Sequence, residues 1–191
     1  MSKRTDATRD KILDAASRLF YGKGIRAVSV DAVAEKAGIT KKTLYYHFRS
    51  KDDLVTAYLD SRDQPNLAIF AKWFEEAEGP LADKVQALFE NIAKSARSPR
   101  WKGCGFLRTA AELADMPGHP AIKVGARHKK KLEAWLAERI ADVDPVGAAQ
   151  RARQILLLMD GAFSIMLIHR DPTYIEAAGL AAKALLDTGS S

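Results

Sequence analysis

Along most of the chain, apolar residues return at i, i+3 and i+4, and the β-branched alternation of a half-buried strand never persists. The pattern predicts an all-α fold. A first helix spans residues 8–22, with Ile12, Ala15, Ala16, Leu19 and Phe20 on one side and Gly22 and Gly24 ending it; Lys3 and Arg4 precede it as a loose arm. Ser29 caps a second helix through Ala37 that buries Val30, Val33 and Ala34 and stops at Gly38. Thr40 caps a third, which places Leu44 and Phe48 on one face, and Ser50 caps a fourth with Asp52 and Asp53 in its first turn. The fourth runs to about residue 78, loosened at Pro65, and carries Leu54, Tyr58, Phe70, Trp73 and Phe74.

Gly79-Pro80 closes that helix and opens a fifth, 81–96, with Val85, Leu88, Phe89 and Ile92 inward. The connector SPRWKGCGF leads to a sixth helix at 106–114 and a turn from Pro117 to Pro120. The seventh, 121–142, buries Val124, Leu132, Trp135, Leu136 and Ile140 and turns Arg127, Lys129, Lys130 and Lys131 to water. Asp144-Pro145 and Asp171-Pro172 each read as an acidic N-cap followed by proline, opening an eighth helix to about residue 170 and a ninth to about 186.

The eighth helix is apolar nearly all round between Ile155 and Ile168, so it must be covered on more than one side. Asp160 and Ser164 interrupt that run, which falls short of the roughly 20 residues of a membrane span. The ninth offers small residues, Ala177, Ala178, Ala181 and Ala182, that let another helix approach closely. Few other helices remain to cover both, so a two-fold dimer through a four-helix interface is expected, with Leu157, Ile165, Ile168, Ala178, Ala181, Ala182 and Leu185 in it.

Charge adds a division of labour. Residues 1–51 hold 12 Lys/Arg against 5 Asp/Glu, and residues 52–191 hold 18 against 19. A basic first quarter on a near-neutral body suggests a polyanion-binding module joined to a part with another task. Cys104 is the single cysteine and cannot form an internal disulfide, and MSKRTDATRDK lacks the apolar core of a signal peptide; a cytoplasmic location is expected. No catalytic constellation, metal site or cofactor is expected.

The basic surplus concentrates in TKKTLYYHFRSKDD, residues 40–53. With Leu44 and Phe48 inward, Lys41, Lys42, Tyr45, Tyr46, His47, Arg49 and Lys51 surround them with donors and stacking surface, as a nucleic-acid-facing helix requires. Lys51, a cation at a helix N-terminus against the macrodipole, suits an external anion or a neighbouring carboxylate. Ala34 at a close crossing, Gly38 four residues later, and apolar Ile39 and Leu44 have the spacing of a helix-turn-helix, whose second helix enters the major groove.

The run GITKKTLYYHFRSKDDL, preceded by SVDAVAEKA and RDKILDAASRLFYGKG, resembles the DNA-binding domain of the TetR family of bacterial transcriptional repressors over roughly residues 8–56. The resemblance implies a nine-helix, two-domain dimer, with a three-helix helix-turn-helix DNA-binding domain at 1–50 and an effector-binding and dimerisation domain at 51–188; the last residues, 189–191, are expected to be a disordered tail. Carried over by position, Thr40, Lys41, Lys42, Thr43, Tyr45, Tyr46 and His47 form the recognition helix, with Lys41 or Lys42 donating to guanine and the tyrosines and Thr43 meeting phosphate or a thymine methyl. Lys51 and the helix start at Ser29 match phosphate contacts. Asp31 departs from the pattern, standing where some members place a basic reading residue.

The family further implies release from a palindromic operator by a small molecule. Large, soft side chains nominate an apolar or aromatic effector and a pocket drawn from Phe70, Trp73, Phe89, Trp101, Cys104, Phe106, Leu107, Met116, Trp135, Met159 and Phe163, with Asp160 as its polar partner or as a cap on a neighbouring helix. Two alternatives stand beside this. One is a thiol redox sensor using Cys104 near Lys102 and Arg108, with His119 or His128. The other is a sequence-tolerant architectural DNA binder.

Overall fold

The computed structural model describes residues 3–187, with side chains from Asp6 onward; the expected tail at 189–191 lies outside them. Among the described residues there are nine α-helices and no strands: α1 (Lys3–Lys23), α2 (Val30–Ala37), α3 (Lys41–His47), α4 (Lys51–Glu76), α5 (Leu81–Ala96), α6 (Gly105–Glu112), α7 (Pro120–Ala141), α8 (Ala148–His169) and α9 (Thr173–Asp187). The all-α architecture expected from the apolar periodicity is the one found. Two compact units result. One comprises the described residues up to Gln64 with Gly105–Ala126, the other Pro65–Cys104 with the described residues from Arg127 on.

The first unit is built on α1, whose Ile12, Ala16 and Phe20 are buried with Val33, Leu44, Phe48, Leu54 and Leu59. Phe20 and Tyr58 set their rings 5.6 Å apart. The unit runs on past residue 50, and α6 and its following turn are bound into it by polar contacts. The Arg26 backbone N–H donates to Glu112 at 2.9 Å, and its guanidinium pairs with Asp115. Arg108 donates to the Tyr21 carbonyl at 2.7 Å. Buried His119 accepts from the Ala121 N–H at Nδ1, which leaves Nε2 to carry its proton toward Asp52, 3.3 Å away.

In the second unit, α9 packs on α5 and α8. Gly179 permits the first contact: a Cβ there would lie 2.7 Å from that of Phe89, which is itself fully buried. Ile175, Ala182 and Leu186 share that inward side. Ala182, expected at a dimer interface, is therefore core of the second unit itself, at 0% exposure. Ion pairs tie the same helices, Lys183 with Asp83 and Arg97 with Glu176. Lys129, expected on a wet face, is instead a half-buried partner of Asp160 on α8, because that carboxylate sits in an otherwise apolar run. By length and composition the 22 residues of α8 are enough to cross a membrane; here Ile155, Met159, Ala162, Phe163 and Met166 are buried within the unit.

Several boundaries move for local reasons. Lys3 and Arg4 are already helical, not a loose arm, and Pro65 sits inside an unbroken α4. Asp144 does not cap α8. Its carboxylate accepts from the Gly147 N–H at 3.0 Å and pairs with Arg151, closing a turn ahead of a helix that starts at Ala148. Asp171, two residues before α9, accepts from the N–H of its first residue, Thr173, at 2.9 Å.

Gly179→Ala should lower stability by about 1–3 kcal/mol in urea unfolding, since the added methyl has to displace Phe89. Gly22→Ala, in an open helical position with nothing within 4 Å, should instead raise it by up to about 1 kcal/mol.

Candidate nucleic-acid interface

The presentation of α3 begins with the end of α2. Gly38 adopts φ +65°, and the Ile39 N–H reaches back to the Ala34 carbonyl at 3.0 Å, a left-handed stop that a Cβ would strain. Ser29 caps the start of α2 through its hydroxyl, accepting from Ala32 N–H at 3.1 Å. Thr40 does the same for α3, accepting from Thr43 N–H at 3.1 Å, and its hydroxyl also lies 2.9 Å from that of Thr43. Ser50 accepts from Asp53 N–H at 3.0 Å, while Asp53 accepts from Arg49 N–H at 3.0 Å, two bonds that together fix the α3–α4 corner.

With both ends fixed, Leu44 and Phe48 are buried at 0% and 1%, and the opposite face stands in solvent. Phe48 lies just past α3 in extended conformation, and the Arg9 guanidinium covers its ring at 5.1 Å. Tyr46 is 79% exposed and Tyr45 44%. Lys41 and Lys42 are exposed, whereas Thr43 and His47 are half-buried; the His47 and Tyr46 rings meet edge-on at 5.3 Å. Lys51 is half-buried and lines a groove of about 310 Å³ with Arg26, Asp52, Asp115 and His119 among its walls.

Three contacts were not legible from local spacing. Lys41 Nζ is 3.0 Å from Asp31 Oδ2, and that hydrogen bond, with the charge of the carboxylate, raises the lysine pKa above its usual value. The Arg9 cover of Phe48 and the His119 link to Asp52 are the others. Asp31 carried a signal, as an acid on the basic helix pair; the other two join residues far apart in sequence.

The nominated effector residues separate. Phe106, Leu107 and Met116 belong to the first unit, where Phe106 is core and Met116 is exposed. Trp73, Phe89, Trp101, Cys104, Met159 and Phe163 belong to the second. Phe89 and Met159 are fully buried packing residues. Trp101 and Phe163 do meet, with centroids 5.9 Å apart, and Lys129 Nζ stands 5.8 Å from the Phe163 ring. Trp73 faces Phe70 at 5.8 Å, and Trp135 faces Phe74 at 5.3 Å. Cys104 is half-buried; of its suggested activators, His119 is committed to Asp52 and Arg108 to Tyr21.

Leu157, Ile165, Ala178, Ala181 and Leu185 line one apolar groove on α8 and α9, and Ile168 is 70% exposed on α8.

These features define a helix-turn-helix DNA-binding protein. The sequence model described as "Bacterial regulatory proteins, tetR family" matches residues 12–58. A TetR-family transcriptional regulator from Streptomyces coelicolor, SCO4454, has the same fold with a TM-score of 0.84 and 30% identity, over 97% of both chains. The chain belongs to the TetR family of transcriptional regulators, and like its relatives it is not an enzyme. It is also similar to the HTH-type transcriptional regulator TtgR of Pseudomonas putida, 44% identical over 97 residues, a match that spans 49% of this chain and about half, 46%, of that regulator. The HTH-type transcriptional repressor KstR2 of Mycolicibacterium smegmatis is 27% identical over 137 residues, 70% of this chain and 65% of that protein.

Proposed function

We propose that the protein is a cytoplasmic, dimeric repressor that binds a palindromic operator through α3 and is released by a small apolar or aromatic effector. The observation that carries the DNA-binding half is the exposed row of Lys41, Lys42, Tyr45 and Tyr46 over buried Leu44 and Phe48. In this reading Lys41 or Lys42 reads guanine in the major groove, and the tyrosine hydroxyls and Thr43 meet backbone or a thymine methyl. His47, half-buried beside Tyr46, steadies that ring. The α2 start behind Ser29 and the α4 start at Lys51 supply phosphate contacts.

Dimerisation rests on the groove of about 800 Å³ along α8 and α9. Leu157, at 67% exposure, lines it and Ile168, at 70%, is exposed on the same helix, with Ala178 and Ala181 small enough for a second copy's helices to approach. A contiguous apolar face of this kind is rarely left to water. The effector reading rests on the contact of the Trp101 and Phe163 rings and on Lys129, which stands near the Phe163 ring and pairs with Asp160. Asp160 thus enters as the partner of Lys129.

Lys51→Ala should weaken binding to operator and random duplexes alike and flatten the plot of log affinity against log salt by about one unit. Equal affinity of the unmodified protein for both duplexes would instead support a sequence-tolerant architectural binder. Leu157→Glu should sediment as a monomer where the parent protein is a dimer and lose operator affinity by about tenfold or more, because one head cannot span two half-sites. In a thermal-shift screen, small aromatic compounds should raise the melting temperature and release DNA, both responses shrinking in Trp101→Ala; hits confined to polar compounds would overturn the effector class.

A further inference from the structure

Asp31 and Lys41 stand on different helices of the same motif, second in α2 and first in α3, with 3.0 Å between carboxylate and ammonium. Both side chains are well exposed, at 65% and 53%. An ion pair so exposed adds little to stability, and the α2–α3 corner already has its Thr40 cap and Gly38 turn. A carboxylate on the face meant for a polyanion also repels phosphate whatever the sequence. Both facts call for a role other than holding the fold.

The ammonium supplies that role. It has three N–H donors, of which Asp31 engages one. Among the described residues Lys42, next on α3, has no such carboxylate and is left to seek phosphate as a compact point charge. Thr43 cannot easily substitute as reader, its hydroxyl being shared with Thr40.

We propose that Asp31 is a specificity-determining positioning residue, which holds Lys41 off the phosphate backbone and aims its remaining donors at O6 and N7 of one guanine. This rests on the reading of α3 as the base reader. Asp31 then acts twice: it orients the lysine for the right base pair, and it disfavours the close phosphate approach that every duplex offers. The two lysines divide the work that charge alone would leave equivalent.

The test uses the full-length protein and a duplex selected from a random library, then varied one base pair at a time. Lys41→Ala identifies the base pair that Lys41 reads, by loss of preference there; preference intact at every pair would sink the underlying reading and this proposal with it. Asp31→Asn should then lower preference at that same pair by about tenfold. It should also bind random duplex several-fold tighter and steepen the salt slope by about one unit, as the freed lysine takes a phosphate. Asp31→Glu should retain the preference. In a Lys41→Ala background, Asp31→Asn should no longer change preference at that pair. Asp31→Asn that keeps full preference, or that weakens every duplex uniformly together with a lowered unfolding midpoint, overturns the proposal in favour of a merely structural acid.

Discussion

The short helix α3 exists because two side chains are buried. Seven residues are too few for a stable isolated helix in water, since nucleation fixes several dihedrals before propagation repays it. Leu44 and Phe48 supply what α3 lacks: each is wholly enclosed, a gain of about 1.5–3 kcal/mol per side chain. Their burial also sets the rotation of the helix. With that stripe inward, Lys41, Lys42, Tyr45 and Tyr46 have only the solvent side available. The family's chemistry is thus a by-product of packing, and the caps at Thr40 and Ser50 set where the exposed row begins and where the chain turns away.

What the sequence discloses is what short stretches decide by themselves. The α2–α3 turn, the three hydroxyl caps and the bounds of α5 depend on residues within one or two turns, and the local pattern identifies them. The start of α8 fails that test because Asp144 had two local uses. It could cap a helix at Pro145 or close a turn on Gly147, and Arg151 favours the turn. The extent of the first unit was illegible for a different reason: Arg26 with Asp115 and Asp52 with His119 link residues more than sixty positions apart, and no periodicity encodes such pairings. The effector residues share that limit, since large apolar side chains fit a core and a pocket equally well; Phe89 and Met159 turned out to be core.

The small residues of α9 show how a correct pattern can hide two functions. Ala177, Ala178, Ala181 and Ala182 look like one surface when written in a line. The helix separates them: Gly179 and Ala182 lie on the side that packs inside the second unit, where Phe89 leaves no room for a side chain at Gly179, and Ala178 and Ala181 border the apolar groove. Smallness is required on the first side by the close approach of Phe89 to Gly179. On the second it is an opening, and its occupant has to match a face that is apolar and almost without polar groups.

The charge distribution can be refined in the same way. The surplus of cations in the first quarter suggested a diffuse attraction to polyanions, yet the acids set among them are engaged one by one. Asp53 accepts from the Arg49 backbone, Asp52 faces the His119 imidazole, and Asp31 holds Lys41. One of these carboxylates fixes the α3–α4 corner, one ties α4 to the turn before α7, and the third lies beside the first residue of α3. Engaged carboxylates repel phosphate less freely than solvated ones, so the field in front of α3 is set by the exposed Lys42 and the basic surplus around it. On the proposed reading, attraction to DNA in general and discrimination among DNA sequences trace to different residues of one short helix, the first to Lys42 and the second to Lys41, the cation that Asp31 holds.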